Sequence, residues 1–380
     1  VNPTSTLFAN ARKIDDRGIV DDFWMVVDDG VITTVGTGLP PRVEHVVDLG
    51  GDWLAPGFID LHCHGGAGAS FDDGAESIAT ALTVHRAAGT TRTVLSLVAN
   101  PLAKLRAELD TIATVAASDP LVLGAHLEGP FLAQERRGAH NGDFLIAPDQ
   151  EVAARLIEAA RGALVQVTLA PELPGALELI SQFADAGVTV ALGHSDADYQ
   201  QTRDAFDRGA RIVTHVFNAM PGIHHRAPGP IVAAFDDERA TLELILDGEH
   251  VDARVANMAF AAAPGRMALV TDAMAAAGSD DGDYTLGSLN VAVRDGLAML
   301  RGTQTIAGST LTQDVALRCA IERAGIAPQV AVAALTAVPA RAIGVDDRLG
   351  LLAEGYAADA VRLDGSWHVR GVWADGRALA

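Results

Sequence analysis

The sequence predicts an α/β fold: a (β/α)8 TIM-like barrel with a small β-sandwich domain formed from both chain termini. Three observations predict it. From Pro56 onward, short apolar runs of strand character alternate with Ala-rich helical runs, the pattern of a parallel sheet covered by helices. Eight strand candidates can be counted there, the number that closes a barrel. Both ends of the chain, unlike its middle, read as short β-branched strands separated by Gly and Asp turns.

Taken in order, "STLFANARKI", "FWMVVDDGVITTVG" and "VEHVVDLGGDWLAPG" predict small sheet without helices over residues 1–55. The barrel strands are then "FIDLH", "TRTVLSLV", "LVLGAHLE", "ALVQVTLA", "VTVALGH", "RIVTHVF", "TLELILD" and "RMALVTD". Between them, "AESIATALTVHRAAG" and "PGALELISQFADAG" place apolar residues at helical spacing and stop on glycine, as a C-cap should. After the eighth strand, "GDYTLGSLNVAVRDGLAMLRG" predicts an inserted hairpin, and "STLTQDVALRCAIERAG" and "APQVAVAALTAVPARAIG" predict closing helices. The last stretch returns to short strands with Gly-Asp turns that rejoin the N-terminal sheet. The expected division is 1–55 plus 345–380 for the small β domain and 56–344 for the barrel.

Composition narrows the function. A chain of 380 residues with 49% hydrophobic and 20% charged residues suits a globular protein with one large domain and a smaller one. Its net charge of -21 repels nucleic acid and anionic membrane, so neither is an expected partner. The two cysteines, Cys63 and Cys319, imply no disulfide framework and form no CxxC motif, which fits a reducing cytoplasm. The first residues carry charges where a signal peptide needs an apolar core, and no run of about 18 apolar residues follows, so the expected location is cytoplasmic.

In such a barrel the C-terminal ends of the strands share one opening, where catalysis sits. His62 ends the first predicted strand with His64 just beyond it, Glu128 ends the third, His194 the fifth and Asp272 the eighth, and the sixth carries His215. Each residue alone has a plain reading; Asp272, for example, would cap a helix at "AMAAAG". Together, four imidazoles and two carboxylates converging on one mouth are costly to bury unless a cation holds them. In His62-Cys63-His64 the two imidazoles share a strand face and Cys63 points away as a packed, inert thiol. Imidazole and carboxylate donors without thiolate suit zinc, with iron, manganese or cobalt as alternatives. His126 shares a face with Glu128 and reads as core or as support behind the ligands.

"PGFIDLHCHG" resembles the metal-binding opening of the amidohydrolase superfamily. The ordered set "HLEGPF", "LAPE", "GHSDA", "THVFNAMP", "DGEHVD", "LVTDAM" and "GSTLT" resembles the N-acetylglucosamine-6-phosphate deacetylase family within it, over nearly the whole chain. That resemblance implies a hydrolase of a phosphorylated amino sugar with one or two divalent metals per subunit. Glu128, His194 and His215 would ligate one metal, and Glu128 would bridge to a second held by His62 and His64; both histidines are present, which points to two metals. The superfamily's carboxylated lysine has no candidate at these strand ends. Amide hydrolysis needs a strong nucleophile, which metal-activated water supplies, and Asp272 is placed to take the proton and return it to the leaving amine. His140, in "RRGAHN", would face the acetyl carbonyl beside Ala139. Asn218, Ala219, Arg226, His250, Ile306, Ala307 and Gly308 match substrate-contacting positions, with Arg226 on the phosphate and able to reach a neighbouring subunit's site in a homodimer.

Alternatives stay open at this level. "HHR" (His224, His225, Arg226) also reads as a solvated loop, "TIAGST" as a loop leading to a helix N-cap at Ser309 or Thr310, and Arg136 and Arg137 as either lid or surface. The rival functions are another amidohydrolase acting on a non-phosphorylated amide, such as a cyclic imide or an N-acyl amino acid, and a barrel that has lost catalysis and serves as a scaffold.

Overall fold

Eight parallel strands run in sequence order through the computed structural model, which describes residues 5–379: Phe58–Cys63, Thr90–Val98, Val122–Glu128, Leu164–Leu169, Thr189–Leu192, Ala210–Val213, Thr241–Ile245 and Met267–Val270. Residues 1–4 and 380 of the expected terminal domain lie outside the described range. The barrel strands are almost entirely buried, as expected of parallel strands covered on both faces. The ring closes between the last strand and the first: the Asp272 N–H donates to the His62 carbonyl at 2.8 Å, and Cys63 bridges to Ala273. A side chain reinforces the seam, because the buried Asp60 carboxylate accepts the Thr271 hydroxyl at 2.6 Å.

The helices form where the sequence places amphipathic spacing. The Ala75–Ala87 helix stops just before Gly89, whose φ of +99° ends it. A Cβ at Gly89 would also stand 2.8 Å from the Phe58 ring, so the turn needs glycine twice over. The Tyr199–Asp207 helix opens on a capping box of Asp198 and Gln201.

Both chain ends build a second sheet. Strands Thr6–Asp15, Gly18–Asp28, Val31–Thr37, His45–Asp48 and Trp53–Pro56 join Ala360–Leu363, Val369–Ala374 and Arg377–Ala378, and the two ends meet where Trp53–Pro56 pairs antiparallel with Ala360–Leu363. The sheet folds over its own core of Phe8, Phe23, Met25, Ile32 and Leu54. Phe8 and Trp373 therefore meet edge to face at 5.3 Å although their strands are not neighbours. Arg92, on the second barrel strand, fixes this sheet to the barrel with a two-pronged pair to Asp359 (2.6 and 2.9 Å) and a contact to Asp375 at 2.7 Å.

Two expectations need correction. The insertion is a three-stranded antiparallel sheet, Asp283–Leu286, Leu289–Arg294 and Leu297–Leu300, where a hairpin was expected. Asp295 and Gly296, both at positive φ, supply the second tight turn that adds "LAML" as a strand. The helix after it starts at Gln313 with Thr312 at its N-cap, two or three residues later than Ser309 or Thr310. Ser309 is used elsewhere: its hydroxyl donates to the Thr271 carbonyl at 2.5 Å and ties this loop to the eighth strand. Among the described residues no helix is long and apolar enough to cross a membrane.

Candidate active site

His62 and Glu128 lie on barrel strands as expected, whereas the fifth, sixth and eighth strands stop at Leu192, Val213 and Val270, two residues before His194, His215 and Asp272. The cause is local. These three residues take positive φ values of 48°, 29° and 48°, which turn the chain out of the extended path and swing each side chain over the mouth. A non-glycine residue there costs roughly 1–2 kcal/mol, strain characteristic of functional sites.

The side chains meet. His194 Nε2 and His215 Nε2 lie 3.0 and 3.1 Å from Glu128 Oε1 and 3.0 Å from each other. His62 Nε2 and His64 Nε2 are 3.1 Å apart, and His64 Nε2 is 3.2 Å from the other Glu128 oxygen. Asp272 Oδ1 stands 3.3 Å from His64 Nε2 and 3.5 Å from His62 Nε2. Two ligands bound at about 2.05 Å to a tetrahedral ion are about 3.3 Å apart, so these donors have the spacing of a shared cation. Glu128 Oε1 faces His194, His215 and, at 3.4 Å, His62, while Oε2 faces His64, so the carboxylate touches both histidine pairs, as a bridging ligand must. The donor set thus fits divalent metal.

What each imidazole does is set by its other nitrogen. The His62 Nδ1–H donates to Glu243 Oε2 at 3.2 Å and the His194 Nδ1–H to the Arg136 carbonyl at 2.9 Å, which leaves both Nε2 lone pairs facing the cluster. His140 is the reverse. Its Nδ1 accepts the Ala99 N–H at 3.3 Å, so in the neutral ring Nε2 carries the proton and serves as donor, although it lies 3.4 Å from Glu128 Oε2. Burial, reinforced by His194, lowers the His140 pKa to about 4 and keeps it neutral.

Charge follows the same logic. Burial pushes Asp272 upward, but the charges of His62 and His64 outweigh it and hold its carboxyl at about 2. Burial opposes charge on His64 too, and its contacts with Asp272 and Glu128 raise it to about 9. The helix that the plain reading of Asp272 needs at "AMAAAG" does not form, so Asp272 caps none. Cys63 is fully buried, and burial drives its thiol well above the ordinary range. His126 is buried, bonded to Ser96 and Thr168 at 2.8 Å each, and supports the barrel floor under His62.

A cavity of about 510 Å³ opens above the cluster, within the range of small-molecule sites. Ala139, His140, Asn218 and Ala219 line one part of it, and His250, Ile306 and Gly308 another. Ala307 does not line it; its methyl is packed in the core of the three-stranded insertion between two residues that do. Arg226 is also absent from this wall. It is exposed on the 222–227 loop and donates to His225 at 2.7 Å. Arg136 and Arg137 do belong to the wall, Arg136 tied to Asp196 at 2.7 Å. Their loop passes close over the cluster, since a Cβ at Gly138 would stand 3.2 Å from the His194 ring.

Three supporting residues escape the sequence reading. Glu243 and Gln166 lie behind His62, joined at 2.8 Å, and Asp247 accepts the His250 Nδ1–H at 2.7 Å. Burial opposes charge on His250, but that bond to Asp247 raises its pKa and favours a cation in the cavity wall. The one sequence signal for Glu243 is an acidic residue between leucines in the buried strand "TLELI".

The model of the Amidohydrolase family matches residues 53–379. The N-acetylgalactosamine-6-phosphate deacetylase of Escherichia coli O157:H7 is 38% identical over 96% of this chain and 97% of its own length. The N-acetylglucosamine-6-phosphate deacetylase of Vibrio furnissii is 33% identical over 98% and 94%. Among solved structures, a mutant N-acetyl-D-glucosamine-6-phosphate deacetylase from Mycobacterium smegmatis, in complex with N-acetyl-D-glucosamine-6-phosphate, superposes with a TM-score of 0.94 at 38% identity over 99% of each chain. With its family model, its full-length relatives and its barrel-mouth cluster in agreement, the chain belongs to the amidohydrolase family.

Proposed function

We propose that this chain is a metal-dependent deacetylase that converts N-acetyl-D-glucosamine 6-phosphate to D-glucosamine 6-phosphate and acetate in amino-sugar catabolism and recycling. One observation carries the reading: Glu128 sits 3.0–3.2 Å from His194, His215 and His64 at the floor of a cavity sized for a sugar. The metal set is His62, His64, Glu128, His194 and His215, and the donor chemistry favours zinc over iron, manganese or cobalt. A metal bound there supplies hydroxide near neutral pH and polarises the acetyl carbonyl.

The remaining steps belong to side chains. Asp272, held as an anion, accepts the proton of the attacking water and delivers it to the nitrogen as the C–N bond breaks. His140 donates its Nε2–H to the acetyl oxygen as charge develops there. His250, backed by Asp247, presents positive charge toward the phosphate, beside Asn218 and Ala219. Arg226, exposed and outside its own cavity wall, is assigned to the phosphate of a neighbouring subunit in a homodimer. Catalysis is assigned to residues 56–344, with 1–55 and 345–380 as the small domain. Two unpaired thiols, Cys63 and Cys319, support a reducing cytoplasmic setting.

The relative named for the galactosamine substrate favours a second reading in which the C4 epimer is the better substrate. Acetate release from both epimers, each with and without the 6-phosphate, separates the cases. The proposal expects kcat/KM to be highest for the phosphorylated gluco sugar and to drop by at least about 100-fold without phosphate, the worth of one charged pair or more. Equal rates with and without phosphate contradict it.

A further inference from the structure

Five imidazoles stand within 3.4 Å of Glu128, and of these His62 alone has a carboxylate behind its Nδ1 among the described residues. Glu243 sits on the seventh strand, Thr241–Ile245, fully buried. Its Oε1 accepts the Gln166 amide at 2.8 Å and its Oε2 lies 3.2 Å from His62 Nδ1. His194 uses a backbone carbonyl for the same purpose, His140 accepts an N–H, and the Nδ1 atoms of His64 and His215 have no hydrogen-bond partner among the described residues.

We propose that Glu243 is the positioning residue that enables the His62/His64 position to hold a second divalent cation. The inference rests on the metal-centre reading above and adds a residue that touches neither substrate nor metal. A carboxylate only accepts, so it fixes the proton of His62 on Nδ1 and leaves the Nε2 lone pair directed at His64 Nε2 (3.1 Å) and Glu128 Oε1 (3.4 Å). A full negative charge on the far side of the ring also makes His62 a stronger donor. Among the described residues the side chains of Glu128, His194 and His215 make no hydrogen bond to those of Glu243 or Gln166, and these three would serve as a complete ligand set with an open position. Loss of Glu243 should therefore act on one metal position and spare the other.

Zinc alone is the probe. The full-length chain is stripped with chelator, titrated with zinc against a competing chromophoric chelator, and analysed for metal per chain by mass spectrometry. The wild-type chain is expected to bind two zinc ions. Glu243→Gln, nearly the same shape, should lower affinity at the weaker position by about 10–100-fold and leave the tighter one unchanged. Glu243→Leu, which carries no polar atom to bury, serves as a second variant with the same expected loss. In a His62→Gln background the Glu243 substitution should have no additional effect. Two unchanged affinities in a folded Glu243 variant overturn the proposal, as does an equal loss at both positions or a wild-type chain that takes up one ion. Acetate release by the wild type is scored separately: two bound ions without deacetylation would sink the substrate reading and leave Glu243's role standing.

Discussion

Asp272 and His140 line one cavity, and the proposed mechanism gives them opposite duties that their surroundings explain. Asp272 is held as an anion by positive charge at the His62/His64 position, so it can take a proton but has none to give until the water supplies one. His140 is kept neutral with its proton on Nε2, so it can donate without competing for the metal. Asp272→Asn should lower kcat by about 10²–10⁴ with KM nearly unchanged and zinc still bound at Glu128, His194 and His215. His140→Leu should lower kcat by about 10²–10³. Steady-state kinetics with metal analysis check both; a kcat near wild type in either variant removes that residue from the chemistry. The residues the sequence reveals are those whose place follows from strand ends, such as His62 and Glu128. Glu243 is hidden because its meaning depends on a partner 181 positions away. Ala307 misleads because it sits in a matching motif while its side chain turns into the insertion core.

At the scale of elements, the Leu102–Ser118 helix buries Glu108, whose carboxylate has Lys104 at 3.3 Å. Burial, with the nearby charge of Asp72 adding to it, raises the Glu108 pKa from 4.5 to about 7. The folded chain therefore holds this proton more tightly than the unfolded chain. Stability is lost as pH climbs from about 4.5 to about 7 and stays lost above. Glu108→Gln should raise the urea midpoint at pH 8, by up to about 3 kcal/mol of unfolding free energy, and change it little at pH 4.5. A variant less stable than wild type at pH 8 would show that Lys104 already compensates the charge. Elements were largely legible: all eight barrel strands fall where apolar runs predict. Their ends were not, because in "ALGH" and "LVTD" the side-chain pattern runs on while the backbone has already turned to positive φ. The third strand of the insertion was missed because "LAML" is too short to stand out without its partner.

Across the whole molecule, a net charge of -21 must be reconciled with an anionic substrate, and the cavity does so locally with Arg136, Arg137 and His250. The strongest phosphate candidate from the sequence, Arg226, is exposed in a single chain, which is why its proposed role calls for a second copy. Arg226→Ala should raise KM for the phosphorylated sugar at least about tenfold with little change in kcat. If the arginine acts across subunits, mixing Arg226→Ala and Asp272→Asn chains under exchange conditions should restore partial activity at low substrate. No recovery despite demonstrated exchange would place Arg226 outside the neighbour's site. The pairing of both chain ends into one sheet was legible because both ends, unlike the middle, carry short strands separated by Gly and Asp turns.

The central claim is that the side chains gathered around Glu128 make hydrolysis depend on a divalent cation. Its most direct test is a zinc titration of chelator-stripped protein, with acetate release from N-acetyl-D-glucosamine 6-phosphate measured at each step. The account predicts no release above background without metal and a rate that rises with bound zinc until the Glu128, His194 and His215 position is filled. Release at the full rate from protein free of metal would contradict it.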